Sequence, residues 1–196
     1  LLLQVLARGY FLRTYLAIFC LFLVFAAVMN FIPFRLTEIS GQADEFRTGL
    51  MYSGYVMGLA AALQAVRIGN FLGGEVRAMV AGFICYALSL TGFGTARPQV
   101  LFFLMFLFCG SMFLVHTTAS GWLNRHAGSH KGVVNGLYVA FYYGGGVVGS
   151  SVPGLIYRHY GWNGFLAALL TTAACGLLLA VSCLGARRRG MPTFDR

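Results

Sequence analysis

From Thr14 to Phe34 the chain reads TYLAIFCLFLVFAAVMNFIPF, 21 residues without a formal charge. A helix of about 20 apolar residues, rising 1.5 Å per residue, crosses a hydrocarbon core of about 30 Å. Comparable stretches follow over residues 48–66, 78–96, 98–124, 132–157 and 161–186. The sequence therefore predicts an all-α membrane protein in which these six ranges are transmembrane helices.

Composition supports lipid as the surrounding solvent. Hydrophobic residues make up 59% of the 196 residues and charged residues only 10%, whereas about a quarter of an ordinary soluble domain is charged. The alternation of polar and apolar residues that is typical of barrel strands is absent. We therefore expect residues 1–196 to form one six-helix bundle, with residues 187–196 as a basic cytoplasmic tail.

A net charge of +9 raises the question of nucleic-acid binding. The basic residues lie in short breaks between apolar runs, and the one dense cluster, 187–189, directly follows the last predicted span. Such a patch is typical of an anchor on anionic lipid headgroups. The predicted partner is therefore membrane lipid and not nucleic acid. All five cysteines lie in apolar runs without a CxxC pair, so no metal or other cofactor is predicted.

The basic residues also predict the orientation. With the N-terminus in the cytoplasm, ten basic residues fall on the cytoplasmic side and four outside, which follows the positive-inside rule and places both termini in the cytoplasm. The inner ten are Arg8, Arg13, Arg67, Arg77, Arg125, Lys131, Arg187, Arg188, Arg189 and Arg196, and the outer four are Arg35, Arg47, Arg97 and Arg158.

The fifth predicted span is rich in glycine. Gly145 and Gly149 form a small-xxx-small pair that lets a neighbouring backbone approach, and Pro153 removes one hydrogen bond within the helix. These three residues are candidates for gating, and tight packing without motion is the alternative interpretation.

Two tyrosines and one histidine are candidates for a polar site. Tyr138 and Tyr142 lie four residues apart on one helix face. His116 is the one ionisable residue inside a predicted span, and such residues in lipid usually face a pore or a partner. Packing with Thr117 or Thr118 is the alternative for His116. The acidic residues all lie in predicted loops or the tail, so proton coupling would need His116 or a group outside this chain.

Two segments resemble the drug:proton antiporter-like members of the major facilitator superfamily. The first segment contains YYGG at 142–145, GSSVPG at 149–154 and YGW at 160–162, and the second is HTTASGW at 116–122. The six predicted spans extend the likeness over nearly the whole chain.

The resemblance implies the C-terminal six-helix half of a twelve-helix, bacterial inner-membrane transporter. Such a transporter works by alternating access together with its N-terminal six-helix half. It would carry a small-molecule substrate, as a proton-coupled transporter or an efflux permease. In this family the first, second, fourth and fifth helices of the half face the cavity. By that placement the substrate-binding residues are Asn30, Tyr55, His116, Tyr138 and Tyr142.

The chain departs from the family in one loop. The family carries a Gly-x-x-x-Asp-Arg-x-Gly type motif between the second and third helices of each half, and its charges latch neighbouring helices. Here Asn70 and Phe71 stand where Asp and Arg are expected, while Gly73 and Arg77 match. This departure weakens the expectation of a latch in this half.

Other membrane proteins of similar size are less compatible with the sequence. A rhomboid-type protease needs a Gly-x-Ser-Gly turn, and the nearest sequence is GSSV at 149–152. The Pro-x-Asp/Glu-x-x-Lys/Arg repeats of mitochondrial-type carriers are also missing. We therefore expect no enzymatic activity, and a six-helix channel or a dimerising half-transporter stays open as the alternative.

Overall fold

The computed structural model describes residues 2–41 and 45–188, and these residues are almost entirely helical. Two 3₁₀ turns, Gly92–Gly94 and Gly128–His130, join longer helices, and the described residues contain no strand. The prediction of an all-α protein is therefore confirmed for this part of the chain. In chain order the helices are α1 (Leu2–Ala7), α2 (Gly9–Ser40), α3 (Glu45–Met51), α4 (Gly54–Phe71), α5 (Glu75–Thr91), α6 (Pro98–His126) and α7 (Lys131–Arg188).

Five helical stretches of the described chain are long and apolar enough to cross a membrane. The fifth of these stretches contains both of the last two predicted spans, 132–157 and 161–186, with no loop between them. A count of six crossings therefore stays a prediction. The five stretches are Gly9–Ser40, Glu45–Phe71, Glu75–Gly94, Pro98–His126 and Gly128–Gly185.

Helix α7 is broken at one residue. Gly161 has a φ of 66° and a ψ of −170°, which is not a helical conformation. Glycine enters the positive-φ region without the steric penalty of a Cβ atom. The break divides α7 into a first arm, residues 131–160, and a second arm, residues 162–188.

The two arms of α7 run in opposite directions along α2. At the start of α2, the Tyr15 hydroxyl donates to the carbonyl oxygen of Val134 in the first arm at 3.1 Å. One residue earlier, the Thr14 hydroxyl lies 3.7 Å from the Cys183 sulfur in the second arm. Both ends of α7 therefore lie beside the same end of α2, and α7 is a helical hairpin around it.

Two glycines let the first arm of α7 approach the backbone of α2. A Cβ atom at Gly145 would overlap the carbonyl oxygen of Phe19, and one at Gly149 would overlap that of Leu23. Both glycines are buried, as is Pro153 one turn further on. The small-xxx-small spacing thus lies at a close helix contact of the kind that packs membrane helices. A gating movement of this arm stays a prediction.

Proline interrupts the hydrogen bonding of α2 without ending the helix. Pro33 has no N–H group and cannot donate to the carbonyl oxygen of Met29, four residues earlier. The Tyr52 hydroxyl, between α3 and α4, donates to that oxygen at 3.1 Å. A side chain thus replaces the missing backbone donor, as an apolar environment requires.

Helix α2 continues six residues beyond the predicted span 14–34, to Ser40. The charge on Arg35 ends the apolar run, but the side chain pairs with Glu38 on the next turn at 3.2 Å, which is compatible with a helix. The helix stops at Gly41, whose φ of 70° is left-handed and whose N–H donates to Thr37. A glycine cap therefore sets this boundary, and charge does not.

Several hydroxyl groups inside the helices are satisfied by their own helix. Four of them donate to a backbone carbonyl oxygen four residues earlier, which removes the cost of an unpaired donor in lipid. These bonds join Thr14 to Tyr10, Ser111 to Leu107, Thr118 to Leu114 and Thr171 to Ala167, at 2.7–2.9 Å.

We expect Gly149→Ala to lower the free energy of unfolding by about 1–3 kcal/mol, because the new methyl group overlaps the α2 backbone. Gly136→Ala, in the same arm, is the matched control, since a Cβ there meets nothing within 4 Å. Thermal unfolding of both variants in detergent is the measurement. Equal stability of the two variants would contradict the close contact.

Candidate functional site

His116 of α6 and Tyr138 of the first arm of α7 form a hydrogen-bonded pair. The Tyr138 hydroxyl oxygen lies 2.7 Å from Nδ1 of His116 and 3.2 Å from the carbonyl oxygen of the same residue. Tyr138 is buried, and His116 is half-buried. The alternative partner Thr118 instead donates to the carbonyl oxygens of Leu114 and Val115.

The two contacts indicate which ring nitrogen carries hydrogen. A phenol has one hydrogen, so when Tyr138 donates it to the carbonyl oxygen, Nδ1–H of His116 donates to the phenol oxygen. In that tautomer Nε2 holds a lone pair, and it has no hydrogen-bond partner among the described residues. Protonation at Nε2 leaves both bonds intact. The pair can therefore accommodate neutral and charged imidazole in one geometry.

Tyr142 connects this pair to α2. Its ring centroid lies 4.8 Å from that of His116 and 6.2 Å from that of Tyr138. On the other side it stacks on Phe22 of α2 at 3.8 Å, with 15° between the ring planes. Tyr142 thus lies between the polar pair and an apolar ring.

Tyr55 of α4 joins the same set of rings indirectly. Its centroid lies 5.7 Å from that of Phe25 and 5.8 Å from that of Phe113, in edge-to-face arrangements. Phe113 lies 6.5 Å from His116. We call the set the aromatic cluster, and it draws on α2, α4, α6 and α7. Its members are Phe22, Phe25, Tyr55, Phe113, His116, Tyr138 and Tyr142.

Asn30 lies outside the aromatic cluster but beside a cavity that borders it. Its amide nitrogen donates to the carbonyl oxygen of Ala26 at 2.7 Å and to the Ser150 hydroxyl at 3.3 Å. A cavity of about 560 Å³, which we call the Asn30 cavity, opens between α2, α4 and the first arm of α7. Its lining residues are Phe22, Phe25, Ala26, Met29, Asn30, Tyr55, Tyr143, Gly146, Val147, Ser150 and Ser151.

The five predicted substrate-binding residues therefore fall into two neighbouring groups. His116, Tyr138 and Tyr142 form one group within the aromatic cluster. Asn30 and Tyr55 line the cavity, and Tyr55 also belongs to the cluster. Phe22 connects the groups, because it lines the cavity and stacks on Tyr142.

An ion pair ties α6 to α5 at the ends that the sequence places in the cytoplasm. Arg125 donates from Nε to Glu75 Oε2 at 2.9 Å and contacts the other carboxylate oxygen through its terminal nitrogen. The neighbouring Asn124 exchanges two hydrogen bonds with Asn135 of α7, at 2.9 and 3.0 Å. Glu75, the first residue of α5, thus supplies the carboxylate that joins α5 and α6.

Several residues of the site were not predicted from the sequence. Phe22, Phe25 and Phe113 are ordinary residues of apolar helices, and nothing in their local sequence distinguishes them from lipid-facing rings. The sequence gives only a weak indication of Ser150. Its hydroxyl directly follows Gly149, so it lies beside the helix face formed by Gly145 and Gly149. The ion pair of Glu75 and Arg125 joins residues 50 positions apart, which no local pattern reveals.

The described residues hold no group of three or more His, Cys, Asp or Glu side chains that could bind a metal ion. The five cysteines lie in the described chain and are all free thiols. Cys109 and Cys183 are buried in the bundle, whereas Cys85 and Cys175 are exposed on its surface.

Comparison with known proteins gives one informative similarity. No family profile matches the chain. Over 64 residues the chain is 36% identical to the inner membrane transport protein YnfM of Escherichia coli (strain K12). The matched stretch is 31% of this chain and spans 15% of that protein's length. Together with the long apolar helices, this similarity supports a protein embedded in a membrane.

We expect Tyr138→Phe to release the His116 ring. Loss of this hydroxyl should lower the free energy of unfolding by about 0.6–1.5 kcal/mol, the usual contribution of such a bond in or out of a membrane. It should also move the ¹⁵N resonances of His116 toward a mixture of tautomers. Tyr143→Phe is the control, because no described residue bonds its hydroxyl. Unchanged His116 resonances in Tyr138→Phe would contradict the pair.

Proposed function

We propose that the protein is a secondary transporter that moves a small solute across a bacterial inner membrane by alternating access. The observation that carries this proposal is the hydrogen-bonded pair of His116 and Tyr138 inside an aromatic cluster. An ionisable group in a membrane helix is costly, so it usually faces a pore or a partner and marks a functional site. The similarity to a named inner membrane transport protein over part of the chain gives independent support.

We propose further that the chain is the C-terminal six-helix half of a major facilitator type transporter, with an N-terminal half as its partner. The reversal of α7 at Gly161 supports two crossings by this element and hence six in all. An even number of crossings agrees with the charge distribution, which favours both ends in the cytoplasm. The large exposed side chains of α4, such as Leu59, Leu63 and Val66, support a surface covered by lipid or by the other half.

The proposed coupling group is His116. Nε2 is the free basic atom of the ring, and the bonds through Nδ1 hold the ring in place in either charge state. A group that keeps its contacts when it binds a proton can load and release that proton as the cavity changes sides. Either uptake or efflux can use this step.

The alternating movement is assigned to the first arm of α7. Gly145 and Gly149 present a smooth face to α2 along which the arm can shift, and Pro153 loosens the helix beyond them. The ion pair between Glu75 and Arg125 would hold α5 to α6 while this arm moves.

The hydrogen bonding of the candidate nucleophiles supports transport and not catalysis. The hydroxyls of Ser150 and Ser151 donate to carbonyl oxygens of their own helix. His116 pairs with Tyr138 and with neither serine. A hydrolase would instead pair its nucleophile with a base.

We expect His116→Ala to abolish the pH dependence of solute transport between about pH 5 and 8, the range in which histidine changes its charge. The measurement is uptake into inverted membrane vesicles across a pH series, with radiolabelled aromatic amines, alcohols and carboxylates. His159→Ala is the control, since His159 is exposed in the same arm as Tyr138.

Two results would contradict this proposal. Full pH dependence in His116→Ala would exclude His116 as the coupling group. A steady ion current through reconstituted wild-type protein, without saturable solute transport, would favour the channel alternative.

A further inference from the structure

The Asn30 cavity has an aromatic region and a polar end. Phe22, Phe25, Tyr55 and Tyr143 supply four rings to its wall. The polar end consists of Asn30 with Ser150 and Ser151 from the first arm of α7, and none of the described lining residues is charged. A volume of about 560 Å³ lies within the usual range for small-molecule sites.

Asn30 presents only an acceptor to the cavity. The atom 2.7 Å from the Ala26 carbonyl oxygen must be the amide nitrogen, since a carbonyl oxygen cannot donate. The same nitrogen donates to the Ser150 hydroxyl oxygen, so both of its hydrogens are engaged. The side-chain oxygen Oδ1 has no partner among residues 2–41 and 45–188.

The two serines also present acceptors. The Ser150 hydroxyl donates to the Gly146 carbonyl oxygen at 2.9 Å, and the Ser151 hydroxyl donates to that of Val147 at 3.2 Å. Each hydroxyl has a single hydrogen, so its oxygen can only accept further bonds. The three residues of the polar end therefore offer three oxygen acceptors and no free donor. The donors left in the cavity wall are the hydroxyls of Tyr55 and Tyr143, which bond no described residue.

This pattern discriminates between solutes. An N–H or O–H group that enters the polar end exchanges its bond to water for a bond to Asn30 Oδ1. A carboxylate at the polar end loses its hydration and meets only acceptors. Its binding affinity is therefore several-fold lower or more. The rings hold the apolar body of either solute equally well.

We propose that Asn30 is a specificity-determining residue that selects aromatic solutes whose polar end donates hydrogen bonds, such as amines and alcohols, over aromatic carboxylates. Ser150 is a positioning residue, because it engages the Asn30 amide and thereby turns Oδ1 toward the solute. The inference rests on the proposed transport function for its role, but binding alone can test it.

Three indole derivatives of similar size provide the test. Tryptamine carries an amine, tryptophol a hydroxyl and indole-3-acetate a carboxylate, and indole itself has no polar end. Binding to the full protein in lipid nanodiscs is measured by isothermal titration. We expect tryptamine and tryptophol to bind at least about tenfold more tightly than indole-3-acetate, which corresponds to one hydrogen bond gained or lost.

Variants assign the preference to individual atoms. Asn30→Leu should weaken tryptamine and tryptophol about tenfold and leave indole unchanged, because only the acceptor is removed. Ser150→Ala frees one amide hydrogen of Asn30 and should improve binding of indole-3-acetate. Thr171→Ala is the matched control, since Thr171 makes the same type of hydroxyl-to-carbonyl bond in the second arm of α7.

The outcomes separate this inference from the proposed function. Binding of indole-3-acetate as tight as that of tryptophol, or binding of none of the four indoles, would overturn the inference. A preference that is lost in Tyr55→Phe or Tyr143→Phe and kept in Asn30→Leu would also overturn it. If the preference holds but no indole is transported, the binding site stands and the transport function fails.

Discussion

The close contact between the first arm of α7 and the backbone of α2 positions the rest of the structure. Lipid gives apolar helices no hydrophobic reason to associate, so membrane helices depend on close packing and on hydrogen bonds between them. At Gly145 and Gly149 the absence of side chains lets the two backbones meet. The same arm carries Tyr138 and Tyr142. These two tyrosines and the two glycines follow one another at spacings of four, three and four residues, so all four share one helix face.

That shared face links packing to chemistry. Its glycine half fixes the distance to α2, and its tyrosine half then reaches Phe22 of α2 and His116 of α6. On the neighbouring face of the same arm, the Ser150 hydroxyl accepts a hydrogen bond from the Asn30 amide of α2. The proton-binding candidate and the solute-binding candidate are therefore held by one helix, and a shift of that helix would alter both. This coupling is the physical basis of the proposed transport cycle.

Local features of the fold could be predicted from the sequence, and contacts between distant residues could not. Long charge-free runs predict helices because backbone groups in lipid have no other means of hydrogen bonding. The end of α2 could not be predicted from charge, because Arg35 marks the loss of apolar character while Gly41 ends the helix. The sequence predicts Tyr138 and His116 as separate candidates for a polar site. Their hydrogen bond depends on how α6 packs against α7, which no local pattern reveals. The Asn30 cavity was equally hidden, since its acceptor pattern follows from which hydrogens are already engaged.

The most direct test of the central claim asks whether α7 crosses the membrane twice. In a variant without the five native cysteines, single cysteines replace Gly132, at the start of the first arm, and Asn163, just after Gly161. Intact cells are treated with a membrane-impermeant maleimide. We expect label at position 163 in intact cells and at position 132 only after the membrane is opened. Equal labelling of both positions from one side would contradict the hairpin of two crossing helices around α2.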